Sequence, residues 1–376
     1  MLVLGHSLAL SETLENLIEK ATSLCNSTSI AAAIITFSTL LVSLFNWGLG
    51  LIFGAIFARK VGEYATKNNI KLNYPLIGAA GYSGLMVWHG GISGSAPIKI
   101  AEKGHFLEEK IGVITQSQTV FSSMNISISI LLLIILPLLM YYIGKKTESK
   151  KVDIICEKKT LSPKITGAEK LDHSNSLALL FGSVILLYCI YKAFILPTNF
   201  NLSFITPNFI NLTLLGLCII LHKNFYRFIN SVNSAIVGAA GILIQFPLYF
   251  GIMGIMKYSG LIDIMSDAFI LISNENTFPI FTFLSAGIVN VFVPSGGGQW
   301  AVQGPIIIEA AMKIGYSIPK SVMALAYGDQ LTNMLQPFWA LPLLGITGLK
   351  AKEILPYTLI LMFIGALIFI SGLLFF

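Results

Sequence analysis

The sequence predicts an all-α polytopic membrane protein, and three observations predict it. Of the 376 residues, 55% are hydrophobic. Only 11% are charged, where soluble domains carry about 25%. Apolar stretches long enough to cross about 30 Å of hydrocarbon recur along the whole chain, in keeping with a mean hydropathy of +0.78. These observations exclude a soluble enzyme, a nucleic-acid binder and a disordered chain. The formal net charge of +6 reads as the basic excess of cytoplasmic loops.

Each element follows from its pattern. Ser11–Leu24 is an amphipathic helix, with Leu14, Leu17, Ile18 and Leu24 opposite Glu12, Glu15 and Glu19. Ile30–Ala58 is too long for one span and is interrupted at Asn46, Trp47, Gly48, Leu49 and Gly50. It reads as a re-entrant hairpin that turns at mid-membrane. Tyr74–Pro97 is a span broken from Trp88 onward, and Val120–Ile143 is an uninterrupted one. Ser176–Ile195, Ile205–Leu221 and Val232–Met256 are three further spans. Phe278–Ala311 is a second hairpin, broken from Pro294 to Gln299. Ser321–Ile346 is a second broken span, interrupted from Asp329 to Pro337, and Leu355–Phe376 completes the set. Backbone without helix at membrane depth is tolerated only where protein buries it or it lines a cavity.

Loop charge orients these spans. Lys145–Asp172 holds 8 Lys against 5 acidic residues, which makes it a cytoplasmic loop and a solvated connector. Counting outward places Arg59–Lys71 (net +3) inside, and Lys99–Lys110 (net zero) and Lys257–Glu275 (net −2) outside. The expected location is a cytoplasmic (inner) membrane, crossed many times. Cys25, Cys156, Cys189 and Cys218 lack CxxC spacing and read as packing residues. No metal site is assigned.

The pattern repeats with inverted orientation. Asn46 is followed 36 residues later by Tyr82, and Asn290 is followed 37 residues later by Tyr327. Each tyrosine sits among small residues and precedes a break and one more span. Ser259–Leu271 is the expected counterpart of the first amphipathic helix. The chain thus divides into a first inverted repeat (1–143), a polar loop (144–175) and a second inverted repeat (176–376). Inverted repeats with helices broken near the midplane are the signature of secondary transporters. Symmetry also creates an expectation about the N-terminus. The second hairpin follows 102 residues of its repeat and the first only 29, so about two spans are expected upstream of Met1 (~70 residues).

The breaks gather the polar groups at membrane depth. Asn46, Trp47 and Gly48 come from the first hairpin, and His89, Gly90, Ser93, Gly94 and Ser95 from the first broken span. Ser295, Gly296, Gly297, Gly298 and Gln299 come from the second hairpin, and Thr332, Asn333 and Gln336 from the second broken span. Half-helix N-termini with bare N–H groups suit a carboxylate, so two facing breaks can hold a small anion without arginine. The two arginines, Arg59 and Arg227, lie in loops. Asp329 is the one acidic residue deep in a predicted span at a break and is a coupling candidate, as proton acceptor or cation ligand. The alternative is a structural carboxylate capping a half-helix. His89 binds substrate, titrates or packs. Trp47, Trp88, Trp300 and Trp339 form an apolar wall for an acyl chain or simply pack the helices. One rival pattern is Gly91-Ile92-Ser93-Gly94, a GxSG motif with His89 four residues before Ser93, as in intramembrane serine hydrolases.

Several ordered motifs resemble the short-chain fatty acid transporter family, of the acetoacetate/butyrate-uptake type. They are Phe45-Asn46-Trp47-Gly48, Gly91-Ile92-Ser93-Gly94-Ser95, Val293-Pro294-Ser295-Gly296-Gly297-Gly298, Gln303-Gly304-Pro305, Ala326-Tyr327-Gly328-Asp329-Gln330 and Gln336-Pro337-Phe338-Trp339-Ala340-Leu341-Pro342. The resemblance covers essentially the whole chain and places it in the ion transporter superfamily. It implies uptake of short monocarboxylates by symport with H⁺ or Na⁺, with no other cofactor. It also implies an elevator-like motion of a hairpin-bearing domain against a scaffold, and allows a homodimer in the lipid bilayer. A dicarboxylate or another small organic anion is the alternative substrate. Three positions depart from the family pattern, where glycine is usual at His89, histidine at Gln299 and glutamate at Asp329. These bear on substrate and coupling ion, not on fold.

Overall fold

A computed structural model describes residues 1–152, 154, 167–197, 202–261, 264, 267, 268, 271 and 273–376. Helices dominate them. α1 (Leu2–Ala9) and α2 (Glu12–Thr22) precede the first hairpin, α3 (Thr28–Phe45) and α4 (Trp47–Lys67). The first broken span comprises α5 (Tyr74–Tyr82), two 3₁₀ turns at Ser83–Met86 and Trp88–Gly90, and α6 (Ser95–Ile100). α7 (Ser123–Lys146) follows. Next come α8 (Asn175–Ile190), α9 (Pro207–Leu221) and the long α10 (Phe225–Tyr258). The second hairpin is α11 (Phe278–Phe292) and α12 (Gly296–Ile314). The second broken span is α13 (Ile318–Thr332), a 3₁₀ turn at Asn333–Leu335 and α14 (Pro337–Thr347), before the last helix α15 (Ala351–Phe375).

Local chemistry sets the ends of these elements. Ser27, Ser122, Ser174 and Thr206 each cap a helix by accepting an N–H three residues on. Asn73 caps α5 in the same way, with Pro75 in its first turn. Gly315 and Gly348 close α12 and α14 in the left-handed region, at φ 81° and 75°. Among the described residues, Thr28–Phe45, Ser123–Lys146, Asn175–Ile195 and Ala351–Phe375 are long and apolar enough to cross a membrane. Their outward faces are apolar too: Leu138, Leu187, Phe194 and Phe363 are all more than half exposed. Such faces suit lipid, not water.

Both hairpins and both broken spans take the expected form, with sharper or shifted breaks. The first hairpin turns at Asn46 alone. The first broken span loosens at Ser83, earlier than Trp88, where the Ser83 hydroxyl bonds back to the Ala80 carbonyl (2.7 Å). The two broken spans lean on the hairpins through glycine. A Cβ on Gly81 would lie 2.4 Å from the Gly54 carbonyl oxygen, and one on Gly328 would lie 2.1 Å from that of Phe283. Only glycine permits either approach.

Three features depart from the sequence reading. α1 is an additional helix, too short for hydropathy to register. Ile18 of α2 is buried, but Leu17, and Leu24 just beyond the helix, are more than half exposed. The polar loop is not wholly a free connector. Lys71–Leu72 and Lys150–Lys151 pair as a two-residue antiparallel sheet, and Thr66 Oγ1 donates to the Val152 carbonyl (3.0 Å). The expected helix over Ser259–Leu271 falls partly outside the described residues, and Cys156 lies outside them. The other three cysteines are buried and unpaired.

Candidate functional site

The four breaks converge. Asn46, extended at φ −150° and ψ 124°, ends α3 and caps α4 by accepting the Leu49 N–H on Oδ1 (2.8 Å). Its Nδ2 is buried without a partner among the described residues. The next N–H, of Trp47, donates to Ser93 Oγ (3.1 Å), and the Ile92 N–H donates to the Leu44 carbonyl (2.9 Å). The first hairpin tip is thereby stitched to the first broken span. Gly91 makes this stitch possible, since a Cβ there would lie 2.4 Å from the Leu44 carbonyl oxygen.

His89 and Asp329 meet in the interior, 0% and 1% exposed. Ala96 N–H donates to His89 Nε2 (3.0 Å), so the ring's proton sits on Nδ1. Nδ1 lies 3.6 Å from Asp329 Oδ2. The His89 N–H donates to Gln330 Oε1 (2.8 Å), which joins the two broken spans. Neither carboxylate oxygen of Asp329 has a hydrogen-bond donor among the described residues.

The second hairpin tip covers this pair. Ser295 caps α12 by accepting the Gly298 N–H (3.3 Å). A Cβ on Gly296 would lie 2.8 Å from the Trp88 ring, 2.9 Å from the His89 ring and 3.2 Å from Asp329 Oδ2. Glycine at 296 lets the tip seat against both residues of the pair and against Trp88, which stacks on His89 (4.3 Å, 13°).

Beside the pair lies a chamber of about 100 Å³, lined by Trp47, Leu85, Trp88, Ser95, Ser295, Gly296, Gly297, Asn333 and Trp339. One water needs about 10–15 Å³ of such space, so the chamber suits a ligand of several non-hydrogen atoms. No lining residue is ionisable. The polar lining is hydroxyl, amide and glycine backbone at the start of α12, and the apolar lining is three indoles and Leu85. A larger cavity of about 860 Å³ lies elsewhere, lined in part by Arg59, Tyr74, Lys150 and Lys151, and includes none of the breaks.

Eight of the sequence-selected residues therefore line the chamber: Trp47, Trp88, Ser95, Ser295, Gly296, Gly297, Asn333 and Trp339. The others lie behind it. Asn46, Ser93 and Gly298 hold the tips. Gly48 packs on Leu2 of α1, Gly90 faces Asn125, and Gly94 turns tightly over the His89 carbonyl. Gln299 points into its own hairpin, donating to the Ala286 carbonyl (2.8 Å) and to Gln303 (3.0 Å). Thr332 donates to the Gly287 carbonyl (3.1 Å), and Gln336 to that of Asn290 (2.5 Å). Trp300 is buried away from the chamber, in the core around α12.

Sequence reasoning missed three supports. Asn290, read only as a turn position, donates to the Asp329 carbonyl (2.6 Å), Thr332 Oγ1 (2.9 Å) and Asn333 Oδ1 (3.1 Å). Asn125 accepts from the Tyr327 hydroxyl (2.9 Å) and donates to the Gly90 carbonyl (2.8 Å). Leu85 gives no polar signal at all. The serine-hydrolase pattern is not assembled. His89 Nε2 is taken by the Ala96 N–H and Ser93 Oγ by the Trp47 N–H, so Ser93 is not bonded to its would-be base.

Known proteins agree with this layout. A relative from Escherichia coli (strain K12), whose name assigns it provisionally to short-chain fatty acid transport, is 36% identical over 99% of this chain and 84% of its own length. A second, from Haemophilus influenzae and named in the same way, is 36% identical over 100% of this chain and 85% of its own length. The crystal structure of the Alcanivorax borkumensis YdaH transporter shares the fold, with a TM-score of 0.55 at 14% identity, over 98% of this chain and 83% of that one. The family model described as "Short chain fatty acid transporter" matches residues 1–376, and this chain, a membrane transporter and not an enzyme, belongs to that family.

Proposed function

We propose that the chain imports short-chain monocarboxylates such as acetoacetate or butyrate across a cytoplasmic membrane by cation-coupled symport. The observation that carries this reading is the uncharged chamber between the hairpin tips. Its hydroxyls, the Asn333 amide and the glycine N–H groups at the start of the 19-residue α12 supply donors for one carboxylate. The indoles and Leu85 supply an apolar wall for a short acyl chain. A dicarboxylate would need donors or a cation for a second charge, and the chamber lining has neither.

Asp329 and His89 are the coupling groups in this reading. Taking an isolated ion out of water costs several kcal/mol, so a buried carboxyl without a donor requires a proton or a cation. Gly296 and Trp88 border both the chamber and the pair. A shift of the second hairpin therefore disturbs substrate and coupling group together. The elevator-like motion, the many-times-crossed inner membrane and a homodimer belong to the same proposal.

Uptake into proteoliposomes tests it. Labelled acetoacetate, butyrate and succinate are offered under a pH gradient and, separately, a sodium gradient, with protein-free liposomes as blanks. The expected result is concentrative uptake of the monocarboxylates under one gradient and none of succinate. Absence of protein-dependent monocarboxylate uptake would overturn the reading.

A further inference from the structure

The family membership says that the substrate is short; the chamber supplies a reason. We propose that Trp339 is the end stop that sets acyl-chain length, and that Trp339 is thus a specificity-determining residue. The proposal rests on the carboxylate-chamber reading given above.

Three indoles border the chamber, and their contacts form a series. Trp88 packs on the second hairpin tip, where a Cβ on Gly296 would lie 2.8 Å from its ring. Trp47 lies 6.2 Å from Trp88 and 5.3 Å from Trp339, centroid to centroid, at interplanar angles of 58° and 79°. The series therefore begins at the glycine backbone that suits a carboxylate and passes through Trp47 to Trp339. Trp339 is braced from behind, with Phe338 set edge-on at 5.0 Å and 75°, and it is only 6% exposed. Rigid aromatic packing of this kind lets a wall resist one more methylene instead of yielding to it.

The other two indoles cannot serve as adjustable walls. Trp88 is stacked on His89 and borders the coupling pair. Trp47 stands at the capped turn of the first hairpin, with its ring in the middle of the series, 6.2 Å from Trp88 and 5.3 Å from Trp339. Trp339 lies on α14, whose first turn begins at Pro337, at the end of the series away from Trp88 and the pair. An apolar pocket discriminates by roughly 10–200-fold for one methylene that does not fit. A stop at Trp339 is therefore enough to separate four-carbon acids from longer ones.

Binding to the full chain in detergent tests this. Binding is preferable to uptake here, because protonated longer acids cross bilayers unaided. Labelled acetoacetate is displaced by unlabelled acetate, butyrate, hexanoate and octanoate from wild type, Trp339→Ala and Trp339→Leu, each first checked for monodispersity. Wild type is expected to prefer butyrate to octanoate by at least about tenfold. Trp339→Ala is expected to move that ratio toward octanoate by about tenfold or more, and Trp339→Leu to move it part of the way; the leucine variant carries the test if the alanine variant does not fold. A ratio unchanged in the folded variants, with acetoacetate still bound, would overturn the end stop and leave the chamber reading intact. Failure of wild type to bind any of the acids would overturn both.

Discussion

Tyr82 and Asn333 belong to opposite halves of the chain, yet the Tyr82 hydroxyl donates to the Asn333 carbonyl at 2.9 Å. The same hydroxyl reaches the Gln336 carbonyl at 3.2 Å. Both acceptors lie where the second broken span leaves helical geometry, and the Asn333 carbonyl also accepts the Gln336 N–H (3.1 Å). Tyr327 answers from the other side by bonding Asn125, which itself holds the Gly90 carbonyl of the first break. The first half thus bonds the second break's backbone directly, and the second half holds the side chain that bonds the first break's. Tyr82→Phe keeps the ring and removes the donor, and the loss of such a hydrogen bond costs about 0.5–1.5 kcal/mol. The expected result is a lower unfolding midpoint with the helix content unchanged. An unchanged midpoint would assign the two carbonyls another donor.

Asp329→Asn is the direct test of the coupling role. The amide matches the carboxyl in shape and carries no exchangeable charge. Neither carboxylate oxygen has a donor to lose among the described residues, so the fold is expected to survive. Gradient-driven uptake should fall by roughly 5–150-fold, the range of a 1–3 kcal/mol coupling. Exchange of labelled for unlabelled substrate without a gradient should persist. Equal loss of both activities would make Asp329 a structural residue, and retention of gradient-driven uptake would remove it from coupling.

The layout was legible because glycine, proline and asparagine interrupt otherwise apolar runs. Asn46 and Pro294–Gln299 could be placed at membrane depth from spacing alone, and Asp329 stood out because charge is so rare in spans. What the sequence could not show is direction. Gln299 looked like a site residue because it adjoins the glycine tip, but helical phase sets it above Gln303 (3.0 Å) and turns it inward. Asn290 and Asn125 look like isolated polar residues until tertiary packing puts them against broken backbone. Leu85 could not be told from any other span leucine. The Lys71–Leu72 pairing with Lys150–Lys151 has no periodic signal, being two residues long and joined across a distant part of the chain.

The glycine contacts between hairpins and broken spans yield a third expectation. Gly54 and Gly81 approach so closely that a methyl on either meets the other's carbonyl oxygen, at 2.0 and 2.4 Å. Those atoms are backbone and cannot rotate away. Gly81→Ala must push α5 off α4, a strain of about 1–3 kcal/mol or more. Because α5 leads directly into Tyr82, the shift also lengthens the Tyr82 bonds. The variant should unfold at lower temperature and transport poorly, whereas Gly251→Ala, on α10 with nothing within 4 Å, should do neither. Equal behaviour of the two would contradict the packing argument.

The last expectation concerns acid. His222 lies just beyond α9, and its Nε2 donates to the Ser7 carbonyl (2.8 Å), tying α1 to the start of α10, where Ser231 Oγ meets Ser7 Oγ at 2.5 Å. Burial holds the His222 pKa below its ordinary value of 6.5; the bond to the Ser7 carbonyl opposes this, and the Arg227 charge adds to it. The unfolded chain therefore binds a proton at this residue that the folded chain resists, so stability is full above pH 6.5 and falls as the pH drops below it. Thermal unfolding at pH 8, 7, 6 and 5 should show midpoints that decline only on the acid side. His222→Gln retains a side-chain N–H for Ser7 and cannot titrate, so its decline should be shallower. A slope equal to that of wild type would assign the acid sensitivity to other groups and leave His222 a purely structural tie.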